Sequence, residues 1–247
     1  MKILISNDDG INSRGLRALA ERLSLRHKVL VVAPDGNRSA FSHSLTIAKT
    51  VKLKKDESVV GYDAYSLSGT PVDCIKFAEL VFNDFNADIV IAGINKGHNL
   101  GSDILYSGTV AIACEASFHG HVSFAFSAFD HEGGNEELYA EYAEKIIRFF
   151  MPISKSGDIW NVNFPSSKLG IKGIKVTPLG RHEYTDRYVK VNEEEYILKG
   201  TPLDRLDDED CDIVWGQKGY VTVTPILFNK TNYRKIEEVK DKCERLL

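Results

Sequence analysis

The sequence predicts an α/β fold built on a mostly parallel, doubly wound, Rossmann-like sheet, with β-hairpin extensions and a closing helix towards the C-terminus. Three observations lead there. Unalternated apolar runs recur at Ile3-Leu4-Ile5, Val29–Ala33 and Asp88–Ile94, the pattern of strands covered by helices on both faces. Amphipathic stretches of helical period lie between them. Each run ends in a polar, glycine-containing cluster, as strands of open α/β sheets do where they turn towards a ligand.

Ile3-Leu4-Ile5 is the first strand, and Asn7-Asp8-Asp9-Gly10 breaks it. From Ser13, Leu16, Leu19, Ala20 and Leu23 fall at i, i+3, i+4 and i+7 and predict a helix. The second run stops at Pro34-Asp35-Gly36. Residues 46–68 alternate like exposed or edge strands. Gly69-Thr70-Pro71 then opens a helix, with Thr70 as N-cap, Pro71 at the first helical position and Asp73 in the first turn. Cys74, Phe77, Ala78 and Val81 are its predicted apolar stripe.

DIVIAGI, from Asp88 to Ile94, is the next buried strand and breaks over residues 95–101. Thr109–Phe118 reads as a small-sided helix, HVSFAFSAF as a strand, and 135–151 as an amphipathic helix with Leu138, Tyr142, Ile146 and Phe149 near one face. Strand and helix alternate to about residue 165, so 1–165 is expected to be the catalytic core. Residues 166–228 alternate, carry more charge and read as strands and hairpins. NYRKIEEVKDKCERLL reads as a final helix. Residues 166–247 are therefore expected to complete the core and to mediate self-association, the Tyr-, Arg- and Glu-rich hairpin being either a subunit contact or a solvated excursion.

Composition narrows the function. Hydrophobic residues make up 43% and charged residues 27% of the 247, with net charge −4. There is no basic footprint for nucleic acid, and small anionic substrates remain open through a metal ion or oriented amides. The first apolar run is too short for a signal sequence or membrane span, so a cytoplasmic protein without a membrane partner is expected. Cys74, Cys114, Cys211 and Cys243 are scattered without a C-x-x-C pair, which suits reduced thiols better than zinc or disulfides.

The strand-end residues converge on one constellation. They are Asn7, Asp8 and Asp9 after the first run, Asn37, Arg38 and Ser39 after the second, and Asn95, Lys96 and Asn99 after DIVIAGI. Two adjacent carboxylates repel unless solvent or a cation offsets them. The alternatives are a turn with a helix-capping acid and a hard, oxygen-only set suited to Mg²⁺ or Mn²⁺. Ser107-Gly108-Thr109 opens the following helix, either as an ordinary cap or as a seat for a phosphate. Gly69 and Thr70 open another helix beside the same cleft, as a start signal or a substrate contact. His43 is a proton donor or a loop hydrogen-bonder, and the acidic run at 206–212 lacks the spacing of a calcium loop and reads as a solvated face.

Taken together, ILISNDDGINSRGLRALA, VVAPDGNRSAFSHSLT, SGTPVDC, DIVIAGINKGHNLGSDILYSGTVAIACEA and GYVTVTPI resemble the SurE (survival protein E) family of metal-dependent 5′-nucleotidases. The resemblance spans residues 3 to about 226. It implies one divalent cation per subunit, Mg²⁺ or Mn²⁺, held by Asp8, Asp9, Ser39 and Asn95. It also implies a cytoplasmic phosphatase of nucleoside monophosphates, with 3′-nucleotidase and exopolyphosphatase activity as further family possibilities, and homodimers or homotetramers built through C-terminal elements. Catalytic roles fall to Asp8, Asp9 and Asn95, and substrate contacts to Ser107, Gly108, Thr109, Asn99, Gly69 and Thr70. One departure is Gly97-His98-Asn99, where the family usually reads Gly-Pro-Asn.

Rival chemistries lack their residues. A nicotinamide-type site needs G-x-G-x-x-G after the first strand, and NDDGINSRG does not provide it. A haloacid-type phosphatase separates its two aspartates by one residue, whereas Asp8 and Asp9 are contiguous. A phospho-receiver module is about half this length and needs a phosphoacceptor aspartate after its third strand.

Overall fold

The computed structural model describes residues 1–129, 135–203 and 209–243. Its elements, in chain order, begin with β1 (Lys2–Ser6), α1 (Arg14–Ser24), β2 (Lys28–Pro34), β3 (Leu53–Lys55), β4 (Asp63–Leu67), α2 (Pro71–Val81) and β5 (Ile89–Lys96). There follow α3 (Gly108–Phe118), β6 (Val122–Ala128), α4 (Glu136–Phe150), β7 (Ile159–Phe164) and β8 (Ile174–Val176). The chain ends with β9 (Glu183–Tyr184), β10 (Arg187–Lys190), β11 (Tyr196–Lys199), β12 (Pro202–Leu203), α5 (Asp212–Gln217), β13 (Val221–Ile226) and α6 (Tyr233–Cys243).

Among the described residues, the main sheet has nine strands in the order β3-β4-β2-β1-β5-β6-β7-β13-β8. Strands β4, β2, β1, β5, β6 and β7 run parallel. Only β3 and β13 pair antiparallel to it, β3 with β4 and β13 with β7. The apolar runs lack alternation because both faces are covered. Ile3 and Ile5 of β1 pack with Leu16, Leu19 and Leu23 of α1 and with Ile146 and Ile147 of α4. Leu4, between them, packs on the other face with Cys74 and Ile75 of α2 and Ile112 and Ala116 of α3. Burying each such aliphatic side chain contributes about 1.5–3 kcal/mol.

The winding sets the site. From β1 the chain moves outward through β2 to β4, then returns to lay β5 along the opposite side of β1. The crevice at this reversal opens beyond the carboxyl ends of β1 and β5. Ser13 caps α1 by accepting from Leu16 N, and Thr70 and Asp73 form a reciprocal capping box at α2.

Three expectations are corrected. Val81 is 54% exposed; α2 buries Cys74 and Ala78 of the expected stripe together with Val72 and Ile75. On α4, Leu138 and Phe149 are exposed, and the buried stripe is Tyr139, Ala140, Ala143, Ile146, Ile147 and Phe150. Both helices carry apolar residues over a wide arc, and the larger continuous stripe faces the sheet. The acidic run is not a solvated face throughout: residues 206–208 lie outside the described residues, but Cys211 and Asp212 are buried and start α5. The final helix forms, yet Tyr233 and Ile236 remain exposed on it. Among the described cysteines, Cys74, Cys114 and Cys211 are free thiols.

Candidate active site

Asp8 and Asp9 follow β1 directly. Asn7 shapes the turn, its Nδ2 donating to Gly10 O at 3.0 Å and to Ser13 Oγ at 2.7 Å while its Oδ1 accepts from Gly10 N. Gly10 has φ +99° and lies against the Gly36 backbone, a conformation and approach that a side chain would obstruct. The first polar cluster is thereby locked against the second.

Asp8 is buried and points at the start of α3. Thr109 Oγ1 donates to Asp8 Oδ1 at 2.5 Å. A Cβ on Gly108 would come within 2.8 Å of the Asp8 carboxylate, so only glycine admits this approach. Burial pushes the Asp8 carboxyl up to about 6, against the Thr109 hydrogen bond that lowers it, and the neighbouring Asp9 charge adds to the rise. The Asp9 carboxyl is also raised by burial, partly offset by Lys96 N, which donates to its Oδ2 at 3.0 Å. Two poorly solvated carboxylates thus meet at the crevice, and among the described residues no side-chain cation is bonded to either.

The segments that carry the two other expected ligands, Ser39 and Asn95, adjoin this corner. Arg38 N donates to Asp8 O at 2.7 Å and brings the Ser39 loop against β1. Asn95, at the end of β5, donates from Nδ2 to Gly97 O at 2.8 Å, which turns its Oδ1 away from that bond. Beside Asp9 and Asn95 is a cavity of about 330 Å³, walled by Asn12, Arg14, Lys96, Glu136 and Tyr139 among others. That volume falls in the range of small-molecule pockets.

The remaining predicted residues have internal partners. Ser107 caps α3 by accepting from Val110 N. Thr70 Oγ1 donates to Ser44 O and accepts from Asp73 N, and a Cβ on Gly69 would come within 2.7 Å of the Asp73 carboxylate. Asn99 is buried. Its Nδ2 donates to Ser127 Oγ, its N–H to Asn163 Oδ1, and its carbonyl accepts from Asn161 and Asn163. His43 meets Glu115 at 2.8 Å, the loop-anchoring alternative.

The family profile described as Survival protein SurE matches residues 3–186. A protein named 5′-nucleotidase SurE from Clostridium beijerinckii is 41% identical over 250 residues, covering 97% of this chain and 98% of that protein. The chain belongs to the SurE family. A 5′-nucleotidase SurE from Thermoanaerobacter sp. is 40% identical over 96% of each chain. The crystal structure of the SurE protein from Aquifex aeolicus superposes with a TM-score of 0.83 at 35% identity, covering 96% of this chain and 98% of that one. The SurE membership and this likeness agree with the doubly wound sheet predicted from the apolar runs.

Two residues that organise this SurE fold escaped the sequence reading. Glu115, buried in α3, accepts from Lys76 at 2.7 Å and bonds His43 and His119. Burial works to raise its carboxyl, but the His43 and Lys76 bonds outweigh that and hold its pKa below the ordinary value. A lone acid in the otherwise apolar TVAIACEASF was the available signal. Asp212 accepts from Gly101 N, Gly180 N and Ile213 N at 2.7–2.9 Å, and inside a charged run it carried no signal.

Proposed function

We propose that this chain is a divalent-metal-dependent phosphomonoesterase that hydrolyses nucleoside 5′-monophosphates to nucleoside and phosphate. The observation that carries the reading is the Asp8–Asp9 corner, a buried carboxylate raised to about 6 beside a second raised carboxylate, pressed on the N-terminus of α3. The names of the relatives point the same way.

The donors fit a hard cation. Asp8, Asp9, Ser39 and Asn95 offer only oxygen, which suits Mg²⁺ or Mn²⁺. When bound, such an ion supplies positive charge to the phosphoryl group and polarises the attacking water. Thr109 and the Lys96 N–H each hold one carboxylate in a single orientation, so the pair is preorganised. Gly108 removes the side chain that would separate Asp8 from the helix start, where the α3 dipole favours a phosphoryl oxygen. The nucleoside takes the cavity beside Asp9 and Asn95, where Tyr139 and Asn12 offer an aromatic wall and a polar edge. Asp8 or Asp9 acts as base or nucleophile.

The test is phosphate release from a panel of nucleoside monophosphates, short polyphosphate and p-nitrophenyl phosphate, with Mg²⁺ or Mn²⁺. Asp8→Ala and Asn95→Ala are expected to lose turnover at every metal concentration. Unimpaired turnover in both discards the assignment.

Residues 1–165 form the proposed catalytic core and residues 166–247 complete it. They are proposed to join subunits into dimers or tetramers through the β10–β11 hairpin, which exposes Tyr188, Tyr196, Ile197 and Leu198. Truncation after Phe228, followed by light scattering, separates a role for the tail from one for this hairpin. No described helix is long and apolar enough to cross a membrane, and the proposed location is the cytoplasm.

A further inference from the structure

A second group of metal-ligating side chains stands apart from the oxygen-only corner. His98 lies on the loop leaving β5, Asp103 in the short 3-10 turn Gly101–Leu105, and His182 between β8 and β9. One donor atom from each lies within 4.8 Å of the other two. His182 Nδ1 and Asp103 Oδ2 are already 2.8 Å apart. A tetrahedral ion with bonds of about 2.0–2.2 Å holds its donors ~3.3–3.5 Å apart, so side-chain rotation of about an ångström closes the set.

The donors are held in place. Ser102 Oγ accepts from His182 N at 3.0 Å and donates to His182 O at 2.9 Å, fixing that residue's backbone against the turn. Tyr184 donates its hydroxyl to Asp103 Oδ2 at 2.7 Å, the outer-sphere contact that orients a ligating carboxylate. The His98 ring stacks on Phe129 with centroids 4.3 Å apart and meets the His182 ring edge-on at 5.9 Å. The side chains of His182 and Asp103 are only 10% and 21% exposed. A plain His–Asp ion pair needs neither the second imidazole nor this packing.

We propose that His98, Asp103 and His182 form a second cation site, selective for a zinc-class transition metal, that clamps the loop leaving β5 to the C-terminal segment. Two imidazoles and one carboxylate favour zinc over Mg²⁺, which prefers the all-oxygen corner. The ion takes the place of the hydrogen shared by His182 and Asp103, and water completes its coordination. Because His98 follows Asn95 by three residues, just beyond the end of β5, occupancy stiffens the strand end that carries a proposed catalytic residue. The proposal does not depend on what reaction the first site performs.

The experiment is calorimetric titration of the chelator-treated full chain with Zn²⁺ in saturating Mg²⁺, repeated with Co²⁺ to read coordination from visible absorption. One ion per chain is expected, with a tetrahedral-type Co²⁺ spectrum. His98→Phe keeps a ring on Phe129, and Asp103→Asn keeps a hydrogen-bonding side chain. Each is expected to weaken Zn²⁺ at least about tenfold, while Asp9→Asn keeps the wild-type affinity. Absence of Zn²⁺ uptake by the wild type, or wild-type affinity in both His98→Phe and Asp103→Asn, overturns the site. So does loss of uptake in Asp9→Asn alone, which assigns the ion to the other corner.

Discussion

Replacing Asp8 by asparagine is expected to stabilise the metal-free protein while abolishing phosphatase activity. Burial raises the Asp8 carboxyl from 3.8 to about 6, and each unit is about 1.4 kcal/mol. Ionised Asp8 therefore costs the metal-free fold ~3 kcal/mol at neutral pH. Between pH 4 and 6 the folded state holds a proton that the unfolded chain has released, so stability falls as pH rises through that window and is level above it. Asparagine carries no charge and still accepts from Thr109 through its Oδ1. Urea melts in chelator at pH 7.5 should place Asp8→Asn ~3 kcal/mol above wild type. In thermal melts that is roughly 6–12 °C for a chain of this size. The advantage shrinks towards pH 4.5, where wild-type Asp8 is protonated. Mn²⁺ at 100 times its Kd adds about 2.7 kcal/mol to the wild type and nothing to the variant, which erases most of the gap. A variant no more stable than wild type at pH 7.5, or a gain equal at pH 4.5 and 7.5, refutes the reasoning.

Gly108→Ala forces a Cβ to within 2.8 Å of the Asp8 carboxylate. A displaced carboxylate is expected to lower kcat/KM about 10²-fold with little change in melting temperature. Thr109→Val removes the hydroxyl from Asp8, so the variant loses about 1–3 kcal/mol, and the acid limb of its pH–rate profile moves to higher pH. Asp212→Ala strands three N–H groups, two of them buried, and is expected to lower stability by roughly 3 kcal/mol in urea melts.

The sheet was legible because covering it on both faces demands unalternated apolar runs, and Ile3-Leu4-Ile5 and DIVIAGI can satisfy little else. The approach of Arg38 and Lys96 to Asp8 and Asp9 was legible for a related reason, since topology brings carboxyl ends together whatever lies between them. The facing side of α4 was not, because Leu138 and Tyr139 head two stripes of similar strength and only the shape of the sheet chooses between them. Asp212 was hidden because a buried acid and a solvated one look identical in a charged run. Its partners are backbone N–H groups more than 30 residues away, at Gly101 and Gly180.

The loop that carries Ser39 shows why Thr70, Asp73 and Glu115 matter although none meets the Asp8–Asp9 corner by a hydrogen bond. Ala40, Ser42 and Ala48 have φ of 62°, 52° and 58°, left-handed conformations that cost a residue with a Cβ about 1–2 kcal/mol each. Such a loop persists only where its surroundings over-determine it. Here Ser42 Oγ donates to Leu105 O, His43 meets Glu115, Ser44 O accepts from Thr70, and Thr46 N donates to Asp73. The anchors sit at the start of α2, within α3 and on the turn before α3. The strands bring Asp8, Asp9 and Asn95 to one edge, but the position of Ser39 is set by helix caps and one buried glutamate. A cation that used all four would therefore report on packing beneath α2 and α3 as well as on its own ligands.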